Sequence, residues 1–135
     1  MVDAMLGRLA RWLRLLGFDT IYNRDFDDET LINIAKNEGR ILLTRDETLF
    51  KRALKENIKS FLIRSFDVIE IISKLNLYID DSLIGSRCTI CNTQLVSDAS
   101  SRKCPNCGKI YWYGSHWKDI NRRIRAIKGD SFANT

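Results

Sequence analysis

The sequence predicts an α/β protein: a small doubly wound parallel sheet, followed by a four-cysteine zinc ribbon and a basic C-terminal helix. Three observations carry that expectation. Strand-like and helix-like segments alternate four times before residue 80. All four cysteines come after it, in two Cys-x-x-Cys pairs. The net charge of +5 is also confined to the later part, since residues 1–80 hold 13 basic and 13 acidic residues and residues 81–135 hold 9 and 4.

The elements follow in order. Met1-Val2-Asp3 reads as the stub of a first strand. Leu6, Leu9, Ala10, Leu13 and Leu16 recur at helical spacing, and Gly17 stops that helix. Phe18–Tyr22 reads as a second strand. Asp27-Asp28-Glu29 opens a second helix that ends at Gly39. Ile41–Thr44 is a short buried strand, and Asp46-Glu47 opens a third helix. Phe61–Ile63 is the fourth strand, and Asp67 opens the fourth helix. Strands that alternate with helices in this way pair in parallel.

Asp80-Asp81-Ser82 and Gly85-Ser86 mark a boundary. The expected organisation is an α/β domain over 1–80, a ribbon over 81–117, and a basic helix and tail over 118–135, with Phe132–Thr135 frayed. No stretch of eighteen apolar residues occurs, so no membrane span is expected. Met1-Val2-Asp3 with Arg8, Arg11 and Arg14 behind it does not read as a signal peptide, and a cytoplasmic protein is expected. In that reducing compartment clustered cysteines read as metal ligands before disulfides.

Cys88-x-x-Cys91 and Cys104-x-x-Cys107 each present two sulfurs to one ion, which gives a closed tetrahedral set for one structural Zn²⁺. Gly108, after the second pair, is placed to take a positive φ. A closed set has no open position, so chemistry must lie elsewhere. His116 is the only histidine and no cysteine is spare, which argues against Ser-His-Asp and Cys-His devices. No glycine-rich phosphate loop is present.

Aspartates recur at the carboxyl edge of the predicted sheet: Asp3, Asp28, Asp46 and Asp67. Ligands of open parallel sheets bind there, and converging carboxylates suit Mg²⁺ or Mn²⁺. Each of these aspartates also sits where a helix N-cap belongs. Pattern alone leaves capping and metal binding equally open.

Five motifs occur in one order. They are Asp3-Ala-Met-Leu-Gly-Arg-Leu-Ala-Arg-Trp-Leu-Arg-Leu-Leu-Gly17, Asp27-Asp28, Leu42-Leu43-Thr44-Arg45-Asp46, Arg64-Ser65-x-Asp67 and Tyr111-Trp112-x-Gly114-Ser115-His116-Trp117. Over about residues 1–117 the chain resembles the PIN-like RNase family named after the C-terminal domain of the Mut-seven exonuclease. That resemblance implies a PIN-like fold with an appended zinc ribbon and metal-dependent endonucleolytic hydrolysis of RNA. By position it implies an acidic site of Asp3, Asp28, Asp46 and Asp67, with Asp27 as an alternative to Asp28. Only two residues precede Asp3, fewer than in the family's usual first strand.

Several cations are candidate RNA contacts. Arg8 and Arg11 lie toward the Asp3 end of the first helix, whereas Arg14 reads as part of a solvated face. Arg45 and Arg64 flank Asp46 and Asp67, where they would either pair with those carboxylates or meet a phosphate. Lys118, Arg122, Arg123, Arg125 and Lys128 form a basic helical run that could follow a phosphate backbone. Tyr111, Trp112, Tyr113 and Trp117 interleave with Lys109 and Lys118, a pattern suited to single-stranded RNA. Packing inside the ribbon competes with that role and is the favoured reading for Trp112 and Trp117. His116 reads as a structural hydrogen-bonder. Two further readings stand beside the nuclease: a non-catalytic RNA-binding module, and a subunit of an RNA-processing complex.

Overall fold

The computed structural model describes residues 1–3, 6–97, 101–112 and 116–128, with the side chains of 116–118 and 127–128 left undescribed. The chain folds as two compact units. One comprises Met1–Arg11 with Asp19–Arg64, and the other Trp12–Phe18 with Ser65–Thr135. Helix α1, Gly7–Leu15, runs through the change of unit. No described helix is long and apolar enough to cross a membrane.

In the first unit, α2 spans Asp28–Glu38, β1 Leu42–Thr44, α3 Glu47–Lys55 and β2 Ser60–Leu62. Strands β1 and β2 pair in parallel, with Leu43 opposite Phe61. Val2 adds an isolated parallel bridge to Leu43 on the other side of β1. All three residues of β1 are buried, as expected for a strand with neighbours on both sides. Beside it, Leu31, Ile32 and Ala35 of α2 pack with Leu49 and Ala53 of α3 in one apolar cluster.

The predicted strand Phe18–Tyr22 is not a strand. Ile21 accepts one bond, from the Val2 N–H at 3.1 Å, and one bond does not make a ladder. The same bond helps fix the first residues of the chain. Asp3 N–H donates to Leu43 O at 3.0 Å, and Leu43 N–H donates to Met1 O at 2.9 Å. Residues 1–3 are therefore held by backbone bonds to two segments, with Asp3 itself bonded to Leu43.

In the second unit, α4 is Val68–Leu75 and α5 is His116–Lys128. They pack together, with Ile71, Ile72 and Ile124 buried. Strands β3 (Val96–Ser97), β4 (Ser101–Lys103) and β5 (Ile110–Trp112) form an antiparallel sheet in the order β3-β4-β5. The end of α1 also belongs to this unit. Gly17 N–H donates to Arg14 O and Phe18 N–H to Leu13 O, which closes the helix in a Schellman turn with Gly17 at φ 97°. A Cβ on Gly17 would lie 2.6 Å from Leu83 O, so glycine is required there for space as well as for conformation.

Candidate metal centres

The cysteine centre is built from two copies of one turn. In the first, Cys91 N–H donates to Cys88 Sγ at 3.4 Å, Asn92 N–H to Cys88 O at 2.8 Å, and Cys88 N–H to Thr93 O at 2.8 Å. In the second, Cys107 N–H donates to Cys104 Sγ at 3.4 Å, Gly108 N–H to Cys104 O at 2.9 Å, and Cys104 N–H to Lys109 O at 2.9 Å. Each turn closes on a positive φ, 69° at Asn92 and 80° at Gly108, as expected from the sequence for the glycine. The four sulfurs lie within 4.8 Å of one another. A tetrahedral Zn²⁺ with bonds of about 2.3 Å places sulfurs about 3.8 Å apart, and Cys88 Sγ lies 3.7 Å from Cys107 Sγ. The four thiols are free of disulfides. The set is positioned to bind one metal ion, and its spacing fits structural zinc.

The electrostatics of the cluster also call for a cation. Burial pushes the Cys88 thiol up, but the Tyr111 hydroxyl and the N–H groups of Cys91 and Ile90 outweigh it and hold the pKa at about 6. The Cys107 thiol is pushed to about 12: the Lys109 N–H pulls it down, and burial and the sulfurs of Cys91, Cys104 and Cys88 more than reverse that. Four thiolates at this spacing can ionise together only around a positive ion.

Two residues for which the sequence suggests other roles support this centre. Tyr111 Oη lies 3.1 Å from Cys88 Sγ and accepts from Thr89 N–H at 3.0 Å. Arg14 was expected on a solvated face but is 5% exposed. Its Nη1 donates to Thr89 O and Ile90 O, each at 3.0 Å, across the first turn. The two carbonyls give the charged head a better partner than water on a helix side that period alone marks as polar. Trp112 is the converse case. It was expected to pack inside the ribbon and is 65% exposed. It alternates with Tyr111 along β5, and only Tyr111 points toward the first cysteine turn.

The second candidate centre lies in the first unit. Asp3 is 5% exposed. Its Oδ2 accepts from the Thr44 hydroxyl and from Arg45 N–H at 3.3 Å. Thr44 Oγ1 in turn accepts from Asp46 N–H at 2.9 Å. Asp46 follows β1 and caps α3, its Oδ1 accepting from Thr48 N–H at 2.8 Å and Leu49 N–H at 3.1 Å. Asp28 has its carboxyl raised above the ordinary value, first by burial and then by the fields of Asp46 and Asp3, with Arg52 opposing. That arginine is engaged with Glu29 at 2.6 Å and Glu56 at 3.3 Å. The fields of Asp46 and Asp3 thus reach Asp28, which places the three carboxylates in one electrostatic neighbourhood.

Capping separates the aspartates that sequence alone left undivided. Asp27 is the N-cap of α2, its Oδ1 accepting from Thr30 N–H at 2.8 Å, and Asp28 is the first residue inside the helix. Asp28 is thus not a cap, contrary to the expectation that every one of these positions fits a cap. Asp46 and Asp67 do cap, and Asp67 accepts from Ile69 N–H at 2.9 Å. Asp67 falls in the second unit. The carboxylates are spaced more widely than the sulfurs: among the described residues, the four cysteines form the set of ligand atoms within 4.8 Å.

The candidate RNA contacts fall in both units. Arg8, Arg11 and Arg64 are exposed. Arg45 is half-buried and its Nη1 donates to Ile63 O at 3.4 Å. Arg122 and Arg123 are exposed on α5, each 3.7 Å from Asp119. Tyr113 and the tail from residue 129 lie outside the described residues, as do the side chains of His116, Trp117, Lys118 and Lys128.

Comparison with known families supplies the remaining finding. The model of the Mut7-C RNAse domain matches residues 1–103 and 97–124. No curated protein and no solved structure matches the chain. The chain belongs to the Mut7-C RNAse domain family, which points to a nuclease or RNA-related function.

Proposed function

From that membership, we propose that the protein is a PIN-like, metal-dependent endoribonuclease. The observation that carries the proposal is the buried Asp3 carboxylate, held by Thr44, with Asp28, whose own carboxyl is raised first by burial and then by the fields of Asp46 and Asp3. A buried carboxylate with further carboxylates nearby is a recurrent feature of functional sites. The donors are all oxygen, which suits Mg²⁺ or Mn²⁺.

In this reading Asp3, Asp28 and Asp46 of the first unit hold the ion. When bound, it supplies Lewis-acid polarisation of the phosphodiester and of water. Thr44 fixes the Asp3 carboxylate through one oxygen. Asp46 spends one oxygen on a helix cap and keeps the other for the site. Residues 1–80 carry this chemistry. The zinc ribbon of 81–117 and the basic helix and tail of 118–135 hold single-stranded RNA, with Arg8, Arg11, Arg45, Arg64, Lys118, Arg122 and Arg123 toward its phosphates. The reduced cysteine set suits a cytoplasmic location.

A second reading, a non-catalytic RNA-binding module or a subunit of an RNA-processing complex, is favoured by the capping roles of Asp46 and Asp67. Cleavage of a labelled single-stranded RNA with Mn²⁺ separates the two. Activity that is stopped by EDTA and lost in Asp46→Asn, which keeps a capping oxygen, supports the nuclease. RNA binding without cleavage supports the module.

A further inference from the structure

The outer face of the ribbon sheet has a composition that the zinc centre does not use. Residues directly opposite in an antiparallel sheet share a face. Val96 pairs with Lys103 and Lys103 with Ile110, so these three form one row across β3, β4 and β5. Trp112, two residues along β5 from Ile110 and opposite Ser101, continues the same face. The intervening residues Arg102 and Tyr111 take the other face, where Arg102 donates to Gly85 O at 2.6 Å and Tyr111 meets the first cysteine turn. The inner face is thus occupied by the ribbon's own bonds. On the outer face Val96 is 58% exposed, Ile110 45% and Trp112 65%. An indole exposed to this degree leaves apolar area in water, with no return to the fold.

We propose that this face, Trp112 with Ile110, Val96 and Lys103, is a stacking platform for a single strand of RNA. The proposal rests on the RNA-binding reading above and assigns it to particular residues. Charge decides the occupant. Strands β3, β4 and β5 contain no aspartate or glutamate, and Lys103 stands in the middle of the apolar row. An apolar protein partner would have to cover that ammonium without compensation. A nucleic-acid strand offers bases to the ring and a phosphate to the exposed Lys103. Bases paired inside a duplex offer no free π-face, so the platform discriminates against double strands.

The test uses the full zinc-loaded chain without added Mg²⁺ or Mn²⁺, so RNA stays intact and the result does not depend on cleavage. Fluorescence anisotropy of a labelled twelve-residue oligouridine is measured for wild type, Trp112→Ala, Trp112→Phe and Lys103→Gln, with zinc content and thermal unfolding recorded for each. Trp112→Ala is expected to weaken binding about tenfold and Trp112→Phe to retain most of it, with a hairpin duplex of equal charge bound more weakly and unaffected by either change. Lys103→Gln is expected to reduce the salt dependence of binding. Unchanged affinity in Trp112→Ala, or equal losses for single strand and duplex, would overturn the proposal. So would loss of self-association in Trp112→Ala with RNA binding intact, since the face would then be a protein contact. Failure of the nuclease reading appears separately, as absence of Mn²⁺-dependent cleavage by a wild type that still binds through Trp112.

Discussion

Thr44 donates its hydroxyl proton to Oδ2 of Asp3, and both residues are buried. The same oxygen of Thr44 accepts from the backbone N–H of Asp46. One hydroxyl thus ties a residue near the start of the chain to the loop after β1, and it sets the direction of a carboxylate that has little contact with water.

Replacing Thr44 with valine keeps the shape of the side chain and deletes the donor. Thr44→Val should lower the stability of the fold by roughly 1–3 kcal/mol, because a buried carboxylate loses a partner. Thr44→Ser should recover most of the loss. Urea denaturation read by far-ultraviolet circular dichroism measures both, and equal stability of the valine and serine variants would show that the bond contributes nothing.

Asp28 should titrate above an ordinary aspartate, because burial and its two acidic neighbours favour the protonated form. Asp46→Asn removes one of those charges and should move the Asp28 midpoint down toward that of an ordinary aspartate. With the folded value raised, this group's contribution to stability is present below the unfolded pKa and is lost as pH rises through the folded one. Neutral pH is therefore the condition in which a divalent cation has most to offset. Carbon-13 NMR of the side-chain carboxyls follows the midpoint with and without Mg²⁺, which should lower it further.

Tyr111→Phe removes the hydroxyl that bridges Cys88 Sγ and Thr89 N–H. Partners of this kind outside the ligand set are commonly worth ~10–100-fold in metal affinity. Zinc competition with a chromogenic chelator should show a loss of about tenfold. Complete zinc removal should unfold the β3-β4-β5 sheet, seen as collapse of its amide dispersion.

Arg14 is a buried cation whose partners include two carbonyls of the first cysteine turn. Arg14→Met keeps much of the length and loses the donors. It should destabilise the second unit by about 2 kcal/mol, since two buried carbonyls lose a charged donor. Chemical denaturation of the zinc-loaded chain checks this, and a change within a few tenths would place Arg14 among ordinary surface residues.

Much of this was legible in the sequence. The helices α2, α3 and α4 start and stop close to where Asp27, Asp46, Asp67 and the terminating Gly39 mark them, because caps are local and depend on side chains a few residues apart. The cysteine set was readable for the same reason: ligand spacing in each turn is a local property. Phe18–Tyr22 was misread because apolar alternation does not report whether a partner strand runs alongside. Arg14 and Trp112 were misread because period assigns a face but not what covers it. Thr44 left one usable signal, a threonine two residues before a capping aspartate, where its hydroxyl can receive the aspartate N–H. Its bond to Asp3, 41 residues away, depends on tertiary structure and left no local trace.

The most direct test of the metal-dependent nuclease is single-turnover cleavage of a labelled single-stranded RNA across a Mn²⁺ titration, with wild type, Asp28→Asn and Asp27→Asn compared. If Asp28 holds the ion and Asp27 only caps α2, wild type saturates with Mn²⁺, Asp27→Asn follows it closely, and Asp28→Asn loses roughly a hundredfold or more, at or above what outer-shell partners of a metal cost. Cleavage that needs no divalent ion, or that survives unchanged in Asp28→Asn, would contradict a carboxylate-metal nuclease.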